Sequence, residues 1–260
     1  MKKFNISSSV PGITFSSANR RSRAMSSLKK SAFISSFTAL LCFVVVARPQ
    51  AALADDAAGD FSLSSNPNGV WSYGWSSTLG SAFTLETSNT TAAYGQSGLD
   101  GWLGTEADGV PSVLHNRTAN SIFIGGHTTF QPGQLGLNPG TNDEYSVVRW
   151  TALSSGQFTI AATFSGLSTV GATVDVHVLL DGSSIFNSTV IGTPDPKSYS
   201  GVTNLVQGDT VDFAVGWGSN GNQHDDTTVL SATIVPEPNA IRLVSAGLGC
   251  LLSLRFLKRK

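Results

Sequence analysis

Between Phe61 and Ile234 the apolar residues come in short runs that alternate with polar ones, and no window sustains a 3.6-residue repeat. "TVDVHVLL" (173–180) sets Val174, Val176, Val178 and Leu180 on one face. Asp175 and His177 fall on the other, which places His177 on an exposed or second-layer face. Asp181-Gly182 comes next, a hairpin signal because both residues tolerate positive φ. "SSIFNSTV" (183–190) is then the return strand. "GDTVDFAVGWG" (208–218) repeats the pattern, with Val211, Phe213, Val215 and Trp217 inward and Asp212 outward. Further strands are read at 145–153, 156–167 and 227–235, joined by 70–75, 81–87 and 120–126. Many short strands punctuated by Gly, Ser, Asn and Pro predict an all-β chain, a jelly-roll-like β-sandwich of two sheets. No linker divides 60–144 from the strands C-terminal to it, so that stretch is expected to supply the remaining strands.

Charge is distributed by position. Eight basic residues precede Asp55 and five lie beyond the last proline. Between Asp55 and Val235 only Arg117, Arg149 and Lys197 stand against sixteen acids, a net charge of −13. Such a body does not suit nucleic acid, whose phosphates need cationic partners. The two cysteines, Cys42 and Cys250, lie outside this span. The body therefore has no disulfide, no thiolate metal site and no thiol nucleophile.

The ends read as addresses. Phe37–Ala47 is an uncharged apolar run preceded by Lys29-Lys30 and succeeded by "AALA" (51–54). This is the layout of a secretory leader, with Ala52 and Ala54 meeting the small-residue rule for cleavage by signal peptidase. Met25 offers an alternative start. At the other end Pro236 and Pro238 hold Glu237 extended, because a residue before proline avoids the helical region. Leu243–Leu254 is uncharged and long enough for a helix of ~18 Å. The basic cluster Arg255–Lys260 favours retention on the cytoplasmic side. The expected organisation is a signal region over 1–54 with a signal helix, a β-sandwich over 55–234, and a tail over 235–260 with a short hydrophobic helix.

Val-Pro-Glu-Pro (235–238), the apolar segment and the basic terminus together resemble a PEP-CTERM sorting signal. Arg242 departs from a uniformly apolar segment. The resemblance covers roughly the last 26 residues. It implies an exosortase, a membrane transpeptidase-like enzyme, that recognises Pro236, Glu237 and Pro238 in a Gram-negative-type bacterium making extracellular polysaccharide. The implied route is an inner-membrane-anchored precursor, then the cell surface or the exterior. "VVRWTA…GQFTI", "VDVHVLLDG" and "GDTVDFAVGWGSNG" are similar to domains of other exported PEP-CTERM proteins, which implies a β-sandwich of unassigned activity.

No H-E-x-x-H, G-x-S-x-G or phosphate loop occurs in the body. Asp143-Glu144, the nearest thing to a glycosidase carboxylate pair, reads as a solvated corner, so no catalytic residue is assigned. Asn220, Asn222, Asp225 and Asp226 are the candidate calcium ligands, because calcium takes hard oxygens from flexible loops. Trp71, Tyr73 and Trp75 share one strand face and are the candidate sugar platform. All three either pack inward or form an exposed strip. The expected function is that of an exported surface or matrix protein with a non-catalytic sandwich of structural or adhesive role. The alternative is a carbohydrate-binding module using calcium, and a secreted hydrolase is the third reading. Polysaccharide is the candidate extracellular partner.

Overall fold

A computed structural model describes residues 53–238. The leader run, Ala52 and the tail beyond Pro238 lie outside the described residues, and with them both expected helices. In chain order the strands are β1 (Asp55–Asp56), β2 (Trp71–Ser76), β3 (Phe83–Leu85), β4 (Ser88–Thr90), β5 (Leu99–Leu103), β6 (Ser112–Asn116), β7 (Ile122–Ile124) and β8 (Thr128–Phe130). Then come β9 (Leu135–Asn138), β10 (Tyr145–Thr151), β11 (Gly156–Gly166), β12 (Thr173–Leu180), β13 (Ser183–Ile191), β14 (Lys197–Leu205), β15 (Thr210–Gly216) and β16 (Thr228–Pro236).

The strands form two large antiparallel sheets. The larger has the order β14-β11-β16-β9-β6-β5-β4, with β1 added to β16. The smaller has the order β13-β12-β15-β10-β2-β3. A separate hairpin, β7-β8, completes the set. The expected all-β sandwich is therefore observed, and the strands between residues 60 and 144 complete both sheets.

The alternation in the sequence places the core. Val174, Val176 and Val178 of β12 and Val211, Phe213 and Val215 of β15 are fully buried. They pack with Ile160 and Phe164 of β11 and Leu230 and Ile234 of β16 from the opposite sheet. The Asp181-Gly182 turn adopts positive φ at both residues, 47° and 77°, as a tight hairpin requires.

The aromatic strip packs inward, which corrects the sugar-platform expectation. Trp71 is 1% exposed and Tyr73 0%, both in the central core, while Trp75 near the strand end is half-buried. Trp71 lies opposite Trp150 in register, and its ring is 6.4 Å from that of Phe213. Its indole N–H donates to Asp60 Oδ2 at 3.2 Å, whereas the Tyr73 hydroxyl is buried with no partner among the described residues. Large aromatic area removed from water outweighs any use of these rings at the surface.

Part of each outer face is also covered. On the smaller sheet Val147, Leu179 and Ala214 are buried beneath Phe83 and Tyr145. This cover takes His177 with it, and it is only 8% exposed. On the larger sheet the β7-β8 hairpin lies over Leu99 and Leu114 and buries Phe130 and Ile122 against them. Gly136 of β9 makes that approach feasible, because a Cβ there would sit 2.6 Å from the Phe130 ring. Gly136→Ala is expected to cost about 1–3 kcal/mol by overpacking. The corresponding fall in thermal midpoint is roughly 3–10 °C. Calorimetry on the variant, and on Gly136→Ala combined with Phe130→Leu, checks this, with partial recovery expected in the double variant.

Candidate functional site

The docked hairpin builds a cleft at one end of the larger sheet. Tyr94 comes from a short 3-10 turn (Ala93–Gly95) before β5, and Asp108 from a similar turn (Ala107–Gly109) before β6. His127 comes after Gly125-Gly126 at the hairpin tip, Asn138 ends β9, and Gln223–Thr227 lead into β16. These groups enclose a cleft of about 150 Å³. Tyr94, Asp108 and Asp225 have φ of 50°, 64° and 66°, so three of the five non-glycine residues with left-handed backbone, among the described residues, line this one cleft. Such conformations persist only where the surroundings enforce them.

The polar groups are largely fixed. His127 Nδ1 is 2.7 Å from Asp225 Oδ1. Thr169 N–H donates to His127 O at 3.0 Å and ties the hairpin tip to the body. Asn138 is buried, and its Nδ2 donates to the Tyr94 hydroxyl at 2.8 Å. Burial chiefly pushes that hydroxyl's titration up, with the bond from Asn138 acting against it. Asn138 Oδ1 is buried and accepts no hydrogen bond among the described residues. A buried carbonyl oxygen without a partner costs about 1–3 kcal/mol, and a donor brought by a ligand removes that cost.

The geometry at His127 does not activate Ser168 as a nucleophile. Ser168 Oγ is 3.4 Å from His127 Nδ1, the same nitrogen that faces Asp225. A relay needs the acid on one ring nitrogen and the hydroxyl on the other. His177 Nε2 faces Asp175 Oδ2 at 2.9 Å, and Tyr145 donates to the same oxygen at 2.7 Å, a packed polar cluster. His115 stacks on Phe61 at 5.1 Å, and burial lowers its pKa. Glu144 Oε2 accepts the N–H of Asn142 at 2.8 Å, so the Asp143-Glu144 corner caps its own turn.

The four calcium candidates do not converge, which corrects that expectation. Asn220 Nδ2 donates to both oxygens of Asp226, at 3.1 and 3.3 Å. Asn222 Oδ1 accepts from His224 N–H at 2.9 Å, and Asp225 turns away to His127. Among the described residues no group of three or more His, Cys, Asp or Glu is placed to hold a metal ion. The loop's oxygens are spent on its own fold, and this set does not fit calcium. Asp225 is nevertheless brought into the cleft, together with five residues that sequence reasoning passed over: Tyr94, Asp108, His127, Asn138 and Gln223. Their only trace in the sequence is the residue-glycine pairs Tyr94-Gly95 and Asp108-Gly109, turn signals that carry no ligand information. Of the residues read as a sorting signal, Glu237 is half-buried against the sandwich and Pro238 is exposed.

A scan against protein-family models finds no match, and no curated protein matches the chain. Among solved structures, a CBM51 module from Clostridium perfringens GH95, in complex with methyl-galactose, is similar at TM-score 0.34 and 12% identity. That match covers 70% of this chain and 99% of the module. A family 35 carbohydrate-binding module from Clostridium thermocellum is similar at TM-score 0.30 and 18% identity, covering 45% and 89%. Rabbit GITRL is similar at TM-score 0.25 and 14% identity, covering 35% and 71%. At these scores the similarities carry no weight for function.

Asp226 gives the loop a pH dependence. It is fully buried, and burial is the main cause that raises its pKa from 3.8 to about 7, with Asp225 and Asp175 adding to it. The folded state then binds the proton more tightly than the unfolded chain. The resulting stability is fully present below about pH 4 and is lost as pH rises through about 7. Asp226→Asn is expected to lose less stability than the native protein between pH 5 and 8, by on the order of 2 kcal/mol. Urea unfolding at the two pH values measures the difference, and Glu86, whose buried carboxyl is also pushed up, contributes equally to both proteins.

Proposed function

We propose that this chain is an exported, exosortase-processed surface or matrix protein whose non-catalytic sandwich adheres to glycan through the cleft at the end of the larger sheet. The observation that carries the reading is that cleft: a partly exposed Tyr94 ring beside a buried Asn138 oxygen that lacks a donor among the described residues. A sugar supplies both complements, C–H faces for the ring and hydroxyl donors for the oxygen. The volume is about half the lower end of drug-sized pockets, ~300 Å³, which suits one sugar ring rather than a chain length. Asp108 and Asp225 beside the opening, on a body of net charge −13, favour neutral over anionic sugars. The crowding of Asp225 and the Ser168 hydroxyl onto one ring nitrogen of His127 supports a binding role over hydrolysis. Export and sorting rest on the leader, the cleavage alanines and the Val-Pro-Glu-Pro tail.

Titration calorimetry with neutral methyl hexosides and short neutral glycans tests the site. Tyr94→Ala and Asn138→Ala are each expected to weaken binding at least about tenfold, the loss from one stacking or hydrogen-bonding contact in a buried setting. No heat from any neutral glycan with the native protein overturns the glycan assignment. Delivery is tested separately. In cells carrying the processing enzyme, Glu237→Ala is expected to leave the tail attached, seen as an unprocessed mass.

A further inference from the structure

The sandwich itself holds the sorting motif. β16 runs without a break into the motif, and Pro236 pairs with Phe158 of β11. Glu237 N–H then donates to Gln157 O at 2.8 Å. Thr159 Oγ1 donates to Glu237 Oε1. Proline has no N–H, so Glu237 carries the one backbone donor within Pro236-Glu237-Pro238. Two of the groups by which an enzyme can identify this peptide, that N–H and one oxygen of the glutamate side chain, are therefore occupied by β11. Pro238 sets this up: the extended backbone it imposes on Glu237 is also the conformation that adds it to a neighbouring strand.

We infer that the folded sandwich withholds Glu237 from the sorting enzyme, so that tail processing proceeds through local release of residues 236–238 from β11. The inference rests on the sorting reading proposed above. Enzymes that take extended peptides do so through main-chain hydrogen bonds and a side-chain pocket. Here β11 and the enzyme compete for the same two groups. Thr159 and the Gln157 carbonyl thereby set the rate at which the tail becomes readable. Release is local, because core residues Ile234 and Ala232 of β16 stay buried when only the three residues beyond Val235 detach.

Pulse-chase of the full-length chain in cells carrying the processing enzyme tests this. Thr159→Val removes the hydroxyl and keeps the branched shape, and the mature form is expected to appear about tenfold faster, the scale of one hydrogen bond to a charged group. Thr159→Ser keeps the hydroxyl and is expected to process at the native rate. Thr163→Val makes the same change on the same strand away from Glu237, and is also expected to leave the rate unchanged. An unaltered or slower rate for Thr159→Val, or equal acceleration by Thr163→Val, overturns the inference. Hydrogen exchange at the Glu237 amide of the full-length protein separates the two ideas. Protection in the native chain that falls in Thr159→Val supports docking, and native exchange at the free-peptide rate overturns it. If Glu237→Ala is processed at the native rate, the sorting reading fails and takes the regulatory inference with it, while amide protection reports docking on its own.

Discussion

The antiparallel pairing of β11 with β16 organises the molecule. It runs over nine residue pairs, from Phe158 opposite Pro236 to Gly166 opposite Thr228. On its inner face it delivers Phe158, Ile160, Ala162 and Phe164 together with Leu230, Ala232 and Ile234 to the core. β16 has β1 and β9 along its other edge, so the first and the middle strands of the sandwich both depend on the last one. Long-range pairings of this kind must close large loops before they gain contacts, which makes such folds slow and cooperative. The cleft loop and the Pro-Glu-Pro segment are both extensions of this same strand.

Much of the second half of the fold was legible because β11, β12 and β16 alternate core-facing apolar residues with more polar ones. β12 occupies the expected 173–180, and Val174, Val176, Val178, Val211, Phe213 and Val215 are buried as read, but Leu180 and Trp217 are only partly buried and Asp212, read as outward, is buried too. Strands whose surroundings differ from that pattern left no such mark. β14 is an edge strand written "KSYSGVTNL", with exposed residues on one face and Gly201 within it, so no apolar alternation announces it. β1 is Asp55-Asp56, whose propensity argues against a strand, and tertiary pairing with β16 overrides it. β9 holds Gly136 where a packed side chain would be expected, because the Phe130 ring fills that space.

The site was less legible than the fold, and the reason is physical. Its residues come from four separate turns and a strand end, and each is unremarkable in its own segment. Only the docking of the β7-β8 hairpin brings His127 to Asp225. The converse error came from residues that look functional in isolation. Trp71, Tyr73 and Trp75 alternate as a sugar platform does, yet the same alternation suits a core, and burial decided between them for Trp71 and Tyr73. Asn220, Asn222 and Asp226 carry oxygens at a cation-binding density, but turn formation consumes them. Glu86 has no sequence signal at all: both of its oxygens are buried without a hydrogen-bond partner among the described residues, so burial raises its pKa and favours the neutral acid.

β16 also acts as a spacer. The cleft loop enters it at Thr228 and the Pro-Glu-Pro segment leaves it at Pro236, so the two lie at opposite ends of one extended strand. Eight steps at ~3.3 Å separate them by roughly 26 Å. Whatever grips the Pro-Glu-Pro segment therefore acts at the far end of β16 from the cleft loop, with the length of the strand between the two.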